Sequence, residues 1–361
     1  MPGFIFDSRL VGAFVVSLLL VTGNARASRM VPIEVHSDVL SAFWKQPFAL
    51  AADVLLPDSY DADPSRRYPV IYWFPGYGAK YDGFARAAWG DWMRAFAATG
   101  HEAIVVFADP MLQYVYTEFA NSAIIGPWGD AFAGELVPYI DRTYRTGKRY
   151  IAGHSSGAWC ALWQQINHPE LFEGAWAYAP DPLDFHDFTG PDLTATPPGN
   201  FYVDGRGNKY MMWRKNGSDT ESLEDWAVGP GFGPAQFGSF EAVFSPPAAD
   251  GSPAQLFNRK SGKIDAAVAA YWEEHYDATA LIRRNWARDG SALRGKIHVI
   301  VGTFDTFHLE GPSRLFCNAL TALDAGATCT FIPGGDHFSI VRWDGGYEHH
   351  VMDEIFRTVP E

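Results

Sequence analysis

Tyr68-Pro69-Val70-Ile71-Tyr72-Trp73-Phe74 is a solid apolar run without polar alternation, and it stops at Pro75-Gly76-Tyr77-Gly78. A strand that does not alternate must be covered on both faces, which places it inside a sheet flanked by helices. Shorter runs of this kind recur at Ala103 to Phe107, Lys148 to Ala152, Ala175 to Tyr178, Lys296 to Val301 and Ala327 to Ile332. Helical patterns fall between them, over residues 82–98, Trp128 to Tyr144, Ser156 to Ile166 and Pro312 to Ala325. Pro169 stops the third of these, and Pro138 kinks or bounds the second. Strands alternating with helices predict an α/β chain with a mostly parallel central sheet and helices on both faces.

Two stretches stand outside that rhythm. Residues 31–56 read as extended, ending at Pro57-Asp58. From about 181 to 294 the alternation fails, in a stretch rich in Gly, Pro and aromatic residues. It is expected to be an insertion or cap on one large domain, the alternative being a separate small domain. Within it, Val203 to Asn208 has the look of a hairpin turn, with a spacing that does not fit an EF-hand, and Ile264 to Trp286 reads as helical.

The chain has 361 residues, 47% of them hydrophobic, which suffices for a large core. Its formal charge of −14, with no basic stripe, argues against nucleic acid or anionic lipid as a partner. Arg9, the apolar run Leu10 to Val21 and Ala25-Arg26-Ala27 have the layout of a secretory signal peptide. Residues 1–27 would then be removed and 28–361 exported, to periplasm or medium; an uncleaved anchor is the alternative. The apolar run is shorter than the ~20 residues that span a bilayer, so no stable membrane insertion is expected. Export means an oxidising compartment. Of Cys160, Cys317 and Cys329, at least one stays unpaired within the chain, and Cys317 and Cys329 could pair. None has the spacing of a metal site, and neither metal nor cofactor is expected.

The chemistry centres on Gly153-His154-Ser155-Ser156-Gly157, a G-x-S-x-G pattern between a short strand and a helix. A sharp turn there lifts the serine hydroxyl above the sheet edge and aims it outward. A hydroxyl is a weak nucleophile and needs a base. His337, in Gly334-Gly335-Asp336-His337 after the last strand, has the right place in chain order and on a strand-end loop. His298, His308, His349 and His350 are the alternatives. Asp305, following the strand that ends at Val301, is the candidate acid to orient the imidazole, with Asp336 and Glu310 as rivals. The backbone N–H groups of Ser156 and Tyr77 are the candidate oxyanion hole. Phe232 and Phe237 could line an aromatic or sugar-binding cleft in the insertion.

With these residues in place, the chain resembles the esterase D-like branch of the α/β-hydrolases, which includes feruloyl esterases, enterochelin esterase-like enzymes and mycolyltransferases. The likeness rests on Tyr68 to Tyr72 leading to Gly76, on Gly153 to Gly157, and on the loops of Asp305 and Gly335-Asp336-His337. It covers roughly residues 48–180 and 296–340. It implies a Ser155, Asp305, His337 triad, no cofactor, and a small-molecule or glycan-linked ester as substrate. Many relatives have His-Gly where this chain has Pro75-Gly76, so side-chain help from position 75 is not expected. Acyl transfer to a sugar alcohol would use the same triad, and a non-catalytic binding protein on this scaffold is the third alternative.

Overall fold

The computed structural model describes residues 29–79, 101–341 and Ile355. The proposed signal segment, the helical pattern at 82–98, His349 and His350 lie outside them.

In chain order the main strands are β1 (Arg29–His36), β2 (Ala49–Leu56), β3 (Tyr68–Phe74), β4 (Ile104–Ala108), β5 (Thr146–His154) and β6 (Ala175–Tyr178). A separate hairpin, β7 (Met211–Lys215) and β8 (Ser218–Ser222), is followed by β9 (Ile297–Gly302) and β10 (Thr328–Ile332). One eight-stranded sheet has the order β1-β2-β4-β3-β5-β6-β9-β10. β1 with β2 and β2 with β4 are antiparallel, and every other neighbouring pair is parallel. Strand β5, which runs into the G-x-S-x-G motif, thus sits centrally, beside β3 and β6.

The unalternating run in β3 divides between two cores. Val70, Tyr72 and Phe74 join a buried cluster on one face of the sheet, and Ile71 and Trp73 join another on the opposite face. That division is why no position could be polar. Helix Ser156–Asn167, which follows β5, has all but its last residue buried. Phe201, Phe237 and Trp272 of the stretch between β6 and β9 belong to the same cluster as Val70 and Tyr72.

Local departures from the sequence reading have identifiable causes. Residues 31–56 are not continuously extended: a helix, Asp38–Trp44, separates β1 from β2. The Ser37 side chain accepts from Leu40 N, and Lys45 ends the helix in left-handed conformation at φ 54°. Trp128 to Thr143 is helical throughout, but residues Phe132–Leu136 form a π turn just before Pro138. Ile264 to Trp286 is not one helix but parts of two, Ala266–Tyr276 and Ala278–Leu293. Asp277 breaks them with an extended ψ of 110° and caps the second by accepting from Ala280 N.

Val203 bridges Lys209 across the expected turn. The Asp204 carboxylate accepts from the N–H groups of Arg206 and Asn208 and from the Asn208 side chain. These bonds satisfy the carboxylate within the turn and hold its pKa below the usual value. Cys317 and Cys329 form a disulfide, and Cys160 is a buried free thiol. Among the described residues no helix is long and apolar enough to cross a membrane.

Candidate active site

Ser155 occupies the turn from β5 into helix Ser156–Asn167, with φ 59° and ψ −127°. That region is rarely open to a side-chain-bearing residue and is found where structure over-determines it. The over-determination is visible in the neighbours. Ser155 N donates to Tyr178 O at 2.9 Å, while Ser155 O accepts from Ala158 N and Trp159 N. A Cβ on Gly153 would lie 2.2 Å from Gly157 O, and one on Gly157 would lie 2.2 Å from Phe74 O. The two glycines of the motif are therefore space requirements of a crossing between β3, β5 and the helix.

The loop after β3 reaches the same point. A Cβ on Gly76 would be 3.0 Å from Ser155 Cβ, so the Gly76–Tyr77 segment flanks the serine directly. The Tyr116 hydroxyl donates to Pro75 O at 2.5 Å and braces this loop. Among the described residues, neither Tyr77 N nor Ser156 N donates a hydrogen bond within the chain. Ser156 N lies at a helix N-terminus, where amides have no intrahelical acceptor.

His337 and Asp305 form a buried pair. His337 Nδ1 donates to Asp305 Oδ2 at 2.9 Å, with the side chains 2% and 0% exposed. The other carboxylate oxygen accepts from Phe307 N at 2.8 Å and from Leu309 N at 3.4 Å. With Nδ1 committed to the carboxylate, the neutral imidazole carries its lone pair on Nε2, the tautomer a base needs. Phe307 packs edge-on against the His337 ring at 4.7 Å.

The other candidates are engaged elsewhere. His298 lies in β9, stacked on Trp176 and paired with the Thr328 hydroxyl. His308 and Glu310 are both bonded to Arg214. The Asp336 carboxylate accepts from Phe338 N and Ser339 N, turning away from His337 as a cap for the next turn.

Two residues of the site escaped the sequence reading. His154, the variable position of the motif, donates from Nε2 to His337 O at 2.9 Å. Burial, reinforced by the neighbouring His337, lowers its pKa to about 3, so it is neutral at physiological pH. Asp181 accepts from the Ser156 hydroxyl at 2.6 Å and, at the limit of a hydrogen bond, from the Ser155 hydroxyl at 3.5 Å. Burial raises its pKa to about 6, with the Ser156 bond opposing the shift. Asp181 follows the end of β6, a strand-end position of the sort that singled out Asp305. Deeper still lies Glu118, held well above the usual carboxyl range by burial and by the Asp181 charge.

Of the two phenylalanines expected to line a cleft, Phe237 is buried in the core and lines none, because it packs against Phe201, Trp226 and Phe257. Phe232 is 47% exposed and, with Trp213, Trp226 and Glu221, lines a cavity of about 440 Å³. Asp184, His186 and Asp277 are close enough together to hold a cation. Their atoms already serve the chain: Asp277 accepts from Phe185 N and Ala280 N, and Asp184 from His186.

A ferulic acid esterase is similar in structure, with a TM-score of 0.56 at 18% identity, over 91% of this chain and 96% of that one. An S-formylglutathione hydrolase from Agrobacterium tumefaciens gives 0.55 at 16% identity, over 93% and 98%. A fluorophosphonate-binding serine hydrolase of Staphylococcus aureus gives 0.56 at 13% identity, over 93% and 100%. At these identities the likeness is one of fold. No curated protein matches the chain. The family model described as "Putative esterase" matches residues 49–302, well over half of the sequence. The chain belongs to this esterase family and has its α/β-hydrolase fold.

Proposed function

We propose that the protein is an exported serine esterase that hydrolyses a carboxylic ester through an acyl-enzyme on Ser155. The observation that carries this reading is the buried His337–Asp305 hydrogen bond, on loops that follow two strands of the sheet bearing Ser155. His337 Nε2 takes the Ser155 proton as Oγ attacks the ester carbonyl. The N–H groups of Tyr77 and Ser156 stabilise the oxyanion, and Asp305 stabilises the imidazolium. The tetrahedral intermediate collapses as His337 returns the proton to the departing alcohol. Water, activated by the same histidine, then releases the acid and frees Ser155.

The substrate in this reading is a small-molecule or glycan-linked ester, acted on without metal or cofactor. The ferulic acid esterase and hydrolase neighbours support an ester of this kind. The Cys317–Cys329 disulfide supports export, because such bonds persist in oxidising compartments. The test is hydrolysis of a panel of short-chain, feruloyl and lactone esters by wild type and Ser155→Ala. The reading expects at least one ester to be cleaved, with kcat about 10⁴-fold or more lower in the variant. A variant that retains wild-type turnover sinks it. The mass of the mature protein recovered from the exporting cell, starting at Ser28 or not, tests the processing site.

A further inference from the structure

We propose that Arg214, carried on hairpin β7–β8 of the insertion, is a positioning residue for the Asp305–His337 pair. The inference rests on the catalytic reading given above. Arg214 is only 15% exposed at its side chain, and its guanidinium is spread over the acid loop. Nη1 donates to Glu310 Oε1 at 2.9 Å and to the Asp305 carbonyl at 3.3 Å. Nη2 donates to His308 Nδ1 at 2.7 Å. The backbone N–H of Arg214 donates to Thr306 O at 2.7 Å. One residue of the insertion therefore grips positions 305, 306, 308 and 310, the loop whose amides hold Asp305 Oδ1.

The loop has need of a grip. His308 stands at φ 61°, a left-handed conformation unfavourable to a residue with a side chain. Burial and Arg214 both push the His308 pKa down, leaving a neutral ring whose Nδ1 can accept from the guanidinium. Asp219 of β8 completes the surround, with Oδ1 at 3.6 Å from Arg214 Nε and 3.1 Å from His308 Nε2.

The hairpin is shaped for this contact. Its register slips on both sides of Trp213, an irregularity of the kind that re-aims side chains. Consecutive residues then reach one loop. Trp213 packs edge-on against Phe307 at 4.9 Å, and Phe307 packs edge-on against His337 at 4.7 Å. Arg214 holds the backbone of the acid loop while Trp213 backs the ring that faces the base. Lysine would keep the charge at this position but not the planar fork that serves three acceptors at once.

The test compares kcat and KM of the mature protein with Arg214→Ala, Arg214→Lys and Ser155→Ala, on two esters that differ in both acyl and alcohol parts. Displacing a catalytic group by an ångström costs up to about 100-fold, so Arg214→Ala should lower kcat about 10- to 100-fold and Arg214→Lys about 10-fold. KM should stay within about threefold, and the loss should be the same factor on both esters. Should Arg214→Ala fail to fold by circular dichroism, Arg214→Lys decides alone. A folded variant with wild-type kcat overturns the proposal. So does a loss confined to KM or one that tracks the ester, since either means that Arg214 touches substrate. Wild-type turnover in Ser155→Ala would instead remove the catalytic reading itself.

Discussion

His154 Nε2 donates to the carbonyl oxygen of His337 at 2.9 Å, tying the residue before Ser155 to the residue proposed as its base. The two rings lie 4.5 Å apart. The turn at Ser155 and the loop of His337 follow strands β5 and β10, which are not neighbours in the sheet. This hydrogen bond is a direct link between them.

His154→Phe should therefore lower kcat about 10-fold, because an orphaned buried carbonyl costs ~1–3 kcal/mol and the loop shifts to satisfy it. His154→Gln keeps a donor and should recover part of the loss. The sign with pH also follows. Folded His154 takes up a proton only near about 3, whereas an unfolded histidine does so near 6.5. Its contribution to stability is present above pH 6.5 and is lost as pH falls through about 3. Melting temperature measured from pH 7 down to 4 should fall less steeply in His154→Phe than in wild type. Parallel curves would contradict this.

Asp181 has the opposite sign. Its folded pKa of about 6 lies above the ordinary 3.8, so the folded state holds the proton more tightly. The stabilisation is complete below pH 3.8 and is lost as pH rises through about 6. The difference corresponds to about 3 kcal/mol. Relative to wild type, Asp181→Asn should gain stability between pH 4 and 7, by up to that amount, in urea unfolding. A constant difference across the range would refute the assignment.

Gly157→Ala should not give a soluble native protein, or should cost more than ~3 kcal/mol, because its Cβ would lie 2.2 Å from Phe74 O and 2.5 Å from Pro75 O. Gly76→Ala meets milder contacts, 3.0 Å to Ser155 Cβ and 3.4 Å to His154 O. It should fold and lose kcat about 10-fold as the serine is displaced. Expression, thermal melts and steady-state kinetics separate the two outcomes.

Removing the disulfide by Cys317→Ser should destabilise the fold by about 3 kcal/mol, given a loop closed over a separation of 12 residues. Reductant should lower the melting temperature of wild type towards that of the variant, and leave the variant unchanged. An identical melting temperature with and without reductant would show that the bond contributes nothing.

Much of the sheet was legible because unalternating apolar runs and strand-end loops have few physical explanations. Tyr68–Phe74 and the turn at Ser155 could be placed for that reason. Helix Asp38–Trp44 was not, since seven residues carry too little periodicity and its mark is a single cap at Ser37. Asp277 was hidden inside an apparently continuous helical pattern, where only its capping role breaks the chain. At the site, Asp181 shared both the strand-end position and the chain order of Asp305, and only the folded structure shows that its carboxylate bonds Ser155 and Ser156 while Asp305 holds His337. Arg214 left no local signal at all. Its partners Asp305, His308 and Glu310 lie more than ninety positions away, and only the folded hairpin brings them together.

The central claim is that Ser155 is the activated nucleophile. Its most direct test is reaction of the mature protein with a fluorophosphonate, followed by peptide mapping of the adduct. The account predicts one phosphonylated residue, Ser155, no adduct in Ser155→Ala, and much slower labelling in His337→Ala. An adduct on Ser156 or elsewhere, or equal labelling of wild type and Ser155→Ala, would contradict it.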